Sequence, residues 1–229
     1  MYVLAIDTSS AAVTAAVVEL SEDGIEVLEQ RVTIDARAHA EVLTPSIEAC
    51  VGAAGRTVRD LAAVVAGIGP GPFTGLRVGL MTAAVLGDTL GIPTYGVPSL
   101  DAIAVHLTPE PLLVAGDARR QEVYWARYAD NSRQAGPEVG RPEAVDTAGL
   151  AVMAGAGARR YAGVLGVPLL DRDYPTALGL VTLAAERVRQ GAGSEVLTPL
   201  YLRRPDAVEP AARKAVLQRA SIAGAAGGR

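Results

Sequence analysis

The chain has 229 residues, half of them apolar, and a formal net charge of −4, enough for a substantial core in one large domain or two small ones without covalent staples. Cys50 is the single cysteine, which excludes a disulfide framework, and no apolar run approaches the length of a membrane-crossing helix. The acidic balance argues against a generic nucleic-acid binder, although Arg119 with Arg120, Arg159 with Arg160 and Arg203 with Arg204 could form local basic patches. The first residues read straight into a strand with no charged and apolar leader, so a cytoplasmic protein with no membrane association is expected.

Tyr2-Val3-Leu4-Ala5-Ile6 predicts a strand that ends in the polar turn Asp7-Thr8-Ser9-Ser10. A second strand, Val13 to Leu20, returns from the turn, and a third, Ile25 to Ile34, follows Asp23-Gly24, so the start reads as an antiparallel meander. A helix is expected over about Ala36 to Ala54, with Val42, Leu43, Ile47, Cys50 and Val51 on helical spacing and Pro45 implying a kink or a late start. Leu61 to Ala66 suits a strand buried on both faces, and Leu76 to Leu90 a helix closed by Gly91 and Pro93. Thr94 to Val97 is the next strand, after which Ser99 or Asp101 is expected to cap a short helix.

Between strand and helix lies Gly67-Ile68-Gly69-Pro70-Gly71-Pro72-Phe73-Thr74-Gly75-Leu76-Arg77. Glycine loops in that position commonly cradle phosphate with backbone N–H groups. Pro70 and Pro72 each remove a donor, and Gly75 is followed by Leu76 and Arg77 instead of Lys and Ser or Thr. A dinucleotide fingerprint would need glycine where Thr74 stands and an acid after Thr94 to Val97. The expectation is a rigid strand-to-helix turn, with Thr74 capping the helix and Phe73 filling a local pocket, in a chain that binds ATP weakly or not at all.

The order of elements starts again after a boundary near Leu100 to Pro111. Leu112 to Gly116 leads into Asp117-Ala118-Arg119-Arg120, and Glu122 to Tyr128 returns as an alternating strand, parallel to Tyr2 through Leu20. Ala151 to Gly157 repeats the strand and Gly-x-Gly arrangement of Val64 to Gly69, with a helical segment near Tyr161. Two related α/β lobes are expected, 1–103 and 104–208, followed by a helix and tail over 209–229.

Five blocks carry a resemblance that runs in order along about nine tenths of the chain. They are Leu4-Ala5-Ile6-Asp7-Thr8-Ser9, Gly67 through Arg77, Gly91-Ile92-Pro93, Asp117-Ala118-Arg119-Arg120 with Glu122-Val123-Tyr124-Trp125, and Pro199-Leu200-Tyr201-Leu202-Arg203. On these the sequence resembles the TsaB (YeaZ) family of bacterial threonylcarbamoyladenosine synthesis on transfer RNA. The resemblance implies the two-lobed fold of actin, sugar kinases and heat-shock ATPases. It also implies a non-catalytic scaffold that pairs with a catalytic paralogue, TsaD, is joined by a small ATPase, TsaE, meets transfer RNA only through the complex, and can pair with itself as a homodimer. No cofactor, metal or catalytic residue is expected in this chain.

The residues themselves fit a scaffold. His39 and His106 are the only histidines and have no metal-ligand spacing, which argues against a glycopeptidase-like hydrolase. Asp7 would suit an ATP-dependent small-molecule kinase of the same fold, but one carboxylate without a phosphate loop is only part of a site, and a turn residue bonding its own backbone is the simpler reading. Apolar residues surround nearly the whole helix Leu76 to Leu90, so it should be covered on two sides. Since the family uses its first two helices to dimerise, Leu43, Ile47, Leu76, Leu80 and Ala83 are expected at the partner interface, with charged substitutions of Leu80 and Ala83 abolishing pairing while leaving the monomer folded.

Overall fold

The computed structural model describes residues 1–203, which build two mixed sheets with helices around them. The apolar N-terminal segments form β1 (Tyr2–Asp7), β2 (Ala12–Leu20) and β3 (Ile25–Ile34) as an antiparallel meander, Asp7 pairing with Thr14 at the top of the first hairpin. Helix α1 (His39–Ala53) leads to β4 (Leu61–Gly67), parallel to β1, and α2 (Phe73–Leu90) leads to β5 (Thr94–Val97), parallel to β4. The sheet order is β3-β2-β1-β4-β5. β1 and β4 are covered on both faces, which is why each reads as a continuous apolar run.

Local details depart from the sequence reading in three places. α1 starts at His39, with Pro45 inside it. α2 begins at Phe73, and its N-cap is Pro72, whose ring favours the extended backbone found there, φ −61° and ψ 134°; Thr74 is thus a first-turn residue and not the cap. Pro98 likewise precedes α3 (Ser99–Ala104), so neither Ser99 nor Asp101 caps it. Their oxygens are used elsewhere: Ser99 Oγ donates to Asp7, and Asp101 accepts from the Tyr128 hydroxyl at 2.8 Å. Gly91 closes α2 with φ 67°, as expected of a glycine stop.

The second sheet repeats the first. β6 (Leu112–Asp117) and β7 (Val123–Ala129) form a hairpin, β8 (Ser132–Gly140) follows on β7, and β9 (Val152–Ala154) lies parallel to β6, giving the order β8-β7-β6-β9. Leu169 bridges Met153 in parallel where a fifth strand would lie. Helices α4 (Ala156–Arg160) and α5 (Ala162–Leu165) flank Tyr161. β8 is polar and contains Gly136-Pro137, so its sequence does not announce a strand. A Cβ at Gly136 would come within 2.5 Å of the Trp125 carbonyl, which is why the strand carries glycine there.

Helix α6 (Ala177–Arg189) belongs to the segment 104–208 but packs on the first sheet. Its stripe Ala177, Leu180, Val181, Ala184 and Val188 meets Val3, Ala5, Val18 and Val65, while Leu4, Ile6, Val13, Val17 and Val64 face α1 and α2 on the opposite side. The following chain then ties down the edge strand β5: Glu195 N–H donates to the Thr94 carbonyl at 2.8 Å, Gly96 N–H donates to Glu195 Oε2 at 3.0 Å, and Arg187 holds Glu195 Oε1 at 2.7 Å. These contacts occupy backbone groups that an open edge would offer to another strand. No described helix is long and apolar enough to cross a membrane. The helix and tail expected over 209–229, and Arg204, lie outside the described residues.

Candidate functional site

Asp7 ends β1 at the first hairpin, where kinase-like chemistry would place a metal-binding acid. Its carboxylate is fully buried and spent internally. Oδ1 accepts from the Ser9 N–H at 2.9 Å and the Ser9 hydroxyl at 2.8 Å, and Oδ2 accepts from the Ser99 hydroxyl at 2.6 Å. Ser99 Oγ in turn accepts from the Gly69 N–H at 3.1 Å. Burial pushes the Asp7 carboxyl above its ordinary range, against the downward pull of these hydrogen bonds and of His39. Thr8 contributes differently from the simple turn residue read in the sequence: its hydroxyl donates to the Gly75 carbonyl at 2.8 Å and accepts from the Gly79 N–H at 3.0 Å, pinning α2 to the hairpin.

The glycines of the loop serve this closure. A Cβ at Gly67 would lie 1.7 Å from Asp7 Oδ2, one at Gly71 2.0 Å from the Ser9 carbonyl, and one at Gly79 2.4 Å from Thr8 Oγ1. Bare backbone is needed wherever loop and helix press on the hairpin. Phe73 fills no pocket: it is 45% exposed, stacks on Tyr201 with ring centroids 5.2 Å apart, and carries the Arg77 guanidinium 4.5 Å above its ring centre. Helix α2 extends one turn further than its apolar run, so the ring projects from the helix start.

A cleft of about 150 Å³ lies between the lobes, lined by Ser9, Ser10, Pro70, Pro72, Asp117, Arg119, Tyr124, Asp173 and Tyr174 among others, but not by Asp7. The two carboxylates that reach it are held by arginines, Asp117 by Arg160 at 3.0 Å and Asp173 by Arg159 at 2.8 Å. His39, the first residue of α1, is buried and donates from Nε2 to the Ser10 carbonyl at 2.7 Å. Among the described residues no cluster of three or more His, Cys, Asp or Glu is placed to hold a metal ion. The cleft offers hydroxyls and paired charges, and two of those hydroxyls, Ser9 and Ser99, donate to the buried Asp7 carboxylate behind it.

The five residues expected at a partner interface are brought together, but inside. Leu43, Ile47, Leu76, Leu80 and Ala83 all lie in the core between α1, α2 and the first sheet, and Leu80, the most exposed, is 6% accessible. Charged substitution of Leu80 or Ala83 therefore strikes the monomer's own core, contrary to the expectation that the monomer stays folded. The small residues on α2 accommodate the chain's own neighbours, Gly79 meeting Thr8 and Gly87 meeting Thr94. The outward face carries Phe73, Arg77, Met81, Ala84, Val85 and Asp88, with Met81 62% and Val85 57% exposed. Sequence held a signal for this face: Arg77 and Asp88, the two charged residues of α2, are three turns apart and mark one side.

A family model described as TsaD, tRNA N6-adenosine threonylcarbamoyltransferase, matches residues 26–161. The chain is 51% identical over 205 residues to an uncharacterized protein of Mycobacterium leprae, covering 90% of this chain and 55% of that relative, so it spans about half of that protein's length. It is 30% identical over 224 residues to the tRNA threonylcarbamoyladenosine biosynthesis protein TsaB of Escherichia coli, covering 89% of this chain and 95% of the relative. Among solved structures, YeaZ from Pseudomonas aeruginosa superposes with a TM-score of 0.72 at 28% identity, over 88% of this chain and 99% of that one.

Proposed function

The chain belongs to the TsaB (YeaZ) family, and from that premise we propose that it is a non-catalytic subunit in the biosynthesis of threonylcarbamoyladenosine on transfer RNA. It works in the cytoplasm by docking on a TsaD-like paralogue that performs the transfer, and a TsaE-like ATPase joins the pair. The observation that carries the non-catalytic part is the sealed first hairpin, where Asp7 is bonded to Ser9 and Ser99 and absent from the cleft. The paralogue, or a second copy of this chain, takes the outward face of α2, where Met81 and Val85 stand exposed beside Ala84. The five buried residues act on that surface indirectly, by fixing how α1 and α2 sit on the sheet. The division near residue 103 separates two lobes of common origin, with α6 returning to the first.

Depletion of the protein, followed by nucleoside analysis of bulk transfer RNA, tests this role. Threonylcarbamoyladenosine falls on depletion and returns on complementation with the wild-type chain. An undiminished level would overturn the reading.

A further inference from the structure

The tripeptide Asp-Ala-Arg occurs twice in the described residues, as Asp35-Ala36-Arg37 before α1 and as Asp117-Ala118-Arg119 after β6. Both copies make the same turn contact, although only Arg119 takes a left-handed backbone angle: the Asp35 carboxylate accepts the Arg37 N–H at 2.8 Å, and the Asp117 carboxylate accepts the Arg119 N–H at 3.0 Å. Oδ1 of each aspartate is thereby turned onto its own backbone, and Asp117 Oδ2 pairs with Arg160. The two arginines line one groove of about 450 Å³ together with His39, Phe73 and Thr74, and among the described residues no carboxylate lines it. Among the described residues Arg37, Arg77 and Arg119 form no ion pair, and neither do Arg31, Arg56, Arg59, Arg141, Arg172 and Arg189; what sets the three apart is that Arg37 and Arg119 line one groove and Arg77 lies over the Phe73 ring at its rim. In an acidic chain, cations left without carboxylates around one groove call for an anion from outside.

The rim of the groove narrows the class of anion. Phe73 and Tyr201 stack on each other while both remain more than 40% exposed, and Arg77 lies over the Phe73 ring. Exposed aromatic rings beside arginines are the usual means of holding unpaired bases next to their phosphates, since every base has a flat face to stack. We propose that this groove binds single-stranded RNA, Arg37 and Arg119 taking backbone phosphates and the Phe73–Tyr201 stack receiving a base. The inference rests on the proposed role in transfer RNA modification and gives the chain a direct contact with the RNA being modified.

The test uses the full chain and a labelled anticodon stem-loop RNA, titrated by fluorescence anisotropy from about 50 mM salt upward. The wild-type chain binds. The R37E/R119E variant binds at least about tenfold more weakly, and its log–log salt slope is shallower by about 1.5, as expected for two lost phosphate contacts. Tyr201→Ala weakens binding with an unchanged slope, because stacking releases no counterions. Absence of wild-type binding, or equal affinity and slope in R37E/R119E, overturns the proposal. So does displacement of RNA by ATP at equal phosphate concentration, which marks a nucleotide site, and so does loss of paralogue binding without loss of RNA binding, which marks a protein interface. The outcome is independent of the depletion experiment: nucleoside levels report the cellular role, whereas salt slopes report this groove.

Discussion

The turns after β1 and after β6 occupy equivalent places in the two halves of the repeat, yet one is closed and the other open. After β1, Asp7, Thr8 and Ser9 are almost fully buried, and the glycine loop and α2 press on them from above. After β6, Arg119, Arg120 and Gln121 are exposed and take left-handed backbone angles, φ 59°, 52° and 61°. Such angles cost roughly 1 kcal/mol each for residues with a Cβ. The closed turn has become structure, and the open one displays cations. A carboxylate in the right topological place therefore says little about chemistry until its hydrogen-bond partners and its access to the cleft are known.

The sharpest way to break this contrast is to charge the side of α2 that faces the closed half. Leu80→Asp should cost about 4 kcal/mol or prevent folding, because it buries an unpaired carboxylate, whereas Met81→Asp on the outer face should change stability by less than about 0.5 kcal/mol in urea unfolding. Equal effects would erase the distinction between the two faces. Gly71→Ala comes next: its Cβ would meet the Ser9 backbone at 2.0 Å, and a loss of about 3 kcal/mol is expected. A neutral result would mean that the loop does not press on the hairpin.

Asp7 should leave a signature in pH. Its folded pKa is raised by burial, so the folded state holds the proton more tightly than the unfolded chain. The stabilisation is complete below about pH 3.9 and is lost as pH rises through the higher folded value. Asp7→Asn should flatten that decline in denaturation series taken from acid to neutral pH; an unaltered decline would assign it to other groups. The smallest effect concerns the open turn. Gln121→Gly should stabilise by up to about 1 kcal/mol by relieving its left-handed backbone, with destabilisation arguing that the turn is not strained.

Much of this architecture was legible in the chain. Apolar runs bounded by turn residues, the alternation of Glu122 to Tyr128, the Gly91 stop and the restart at Leu112 locate β1 to β7 because each is set by local sequence. The return of α6 was not legible, since the stripe from Ala177 to Val188 specifies an apolar partner without saying which sheet supplies it. β8 escaped because pairing with β7, and not its own polar residues, makes it a strand. At the site, the missing phosphate donors were visible in Pro70 and Pro72. The inward direction of Leu76, Leu80 and Ala83 was obscured by a helix apolar nearly all round.

Under the proposed function this chain acts through its outer surface and not through the carboxylate sealed beneath it. Calorimetric titration of the TsaD-like paralogue with the wild-type chain and with M81D/V85D measures it most directly. Affinity should fall at least about thirtyfold in the variant while its unfolding midpoint stays within error of the wild type. Undiminished affinity in a folded M81D/V85D chain would place the paralogue on another surface.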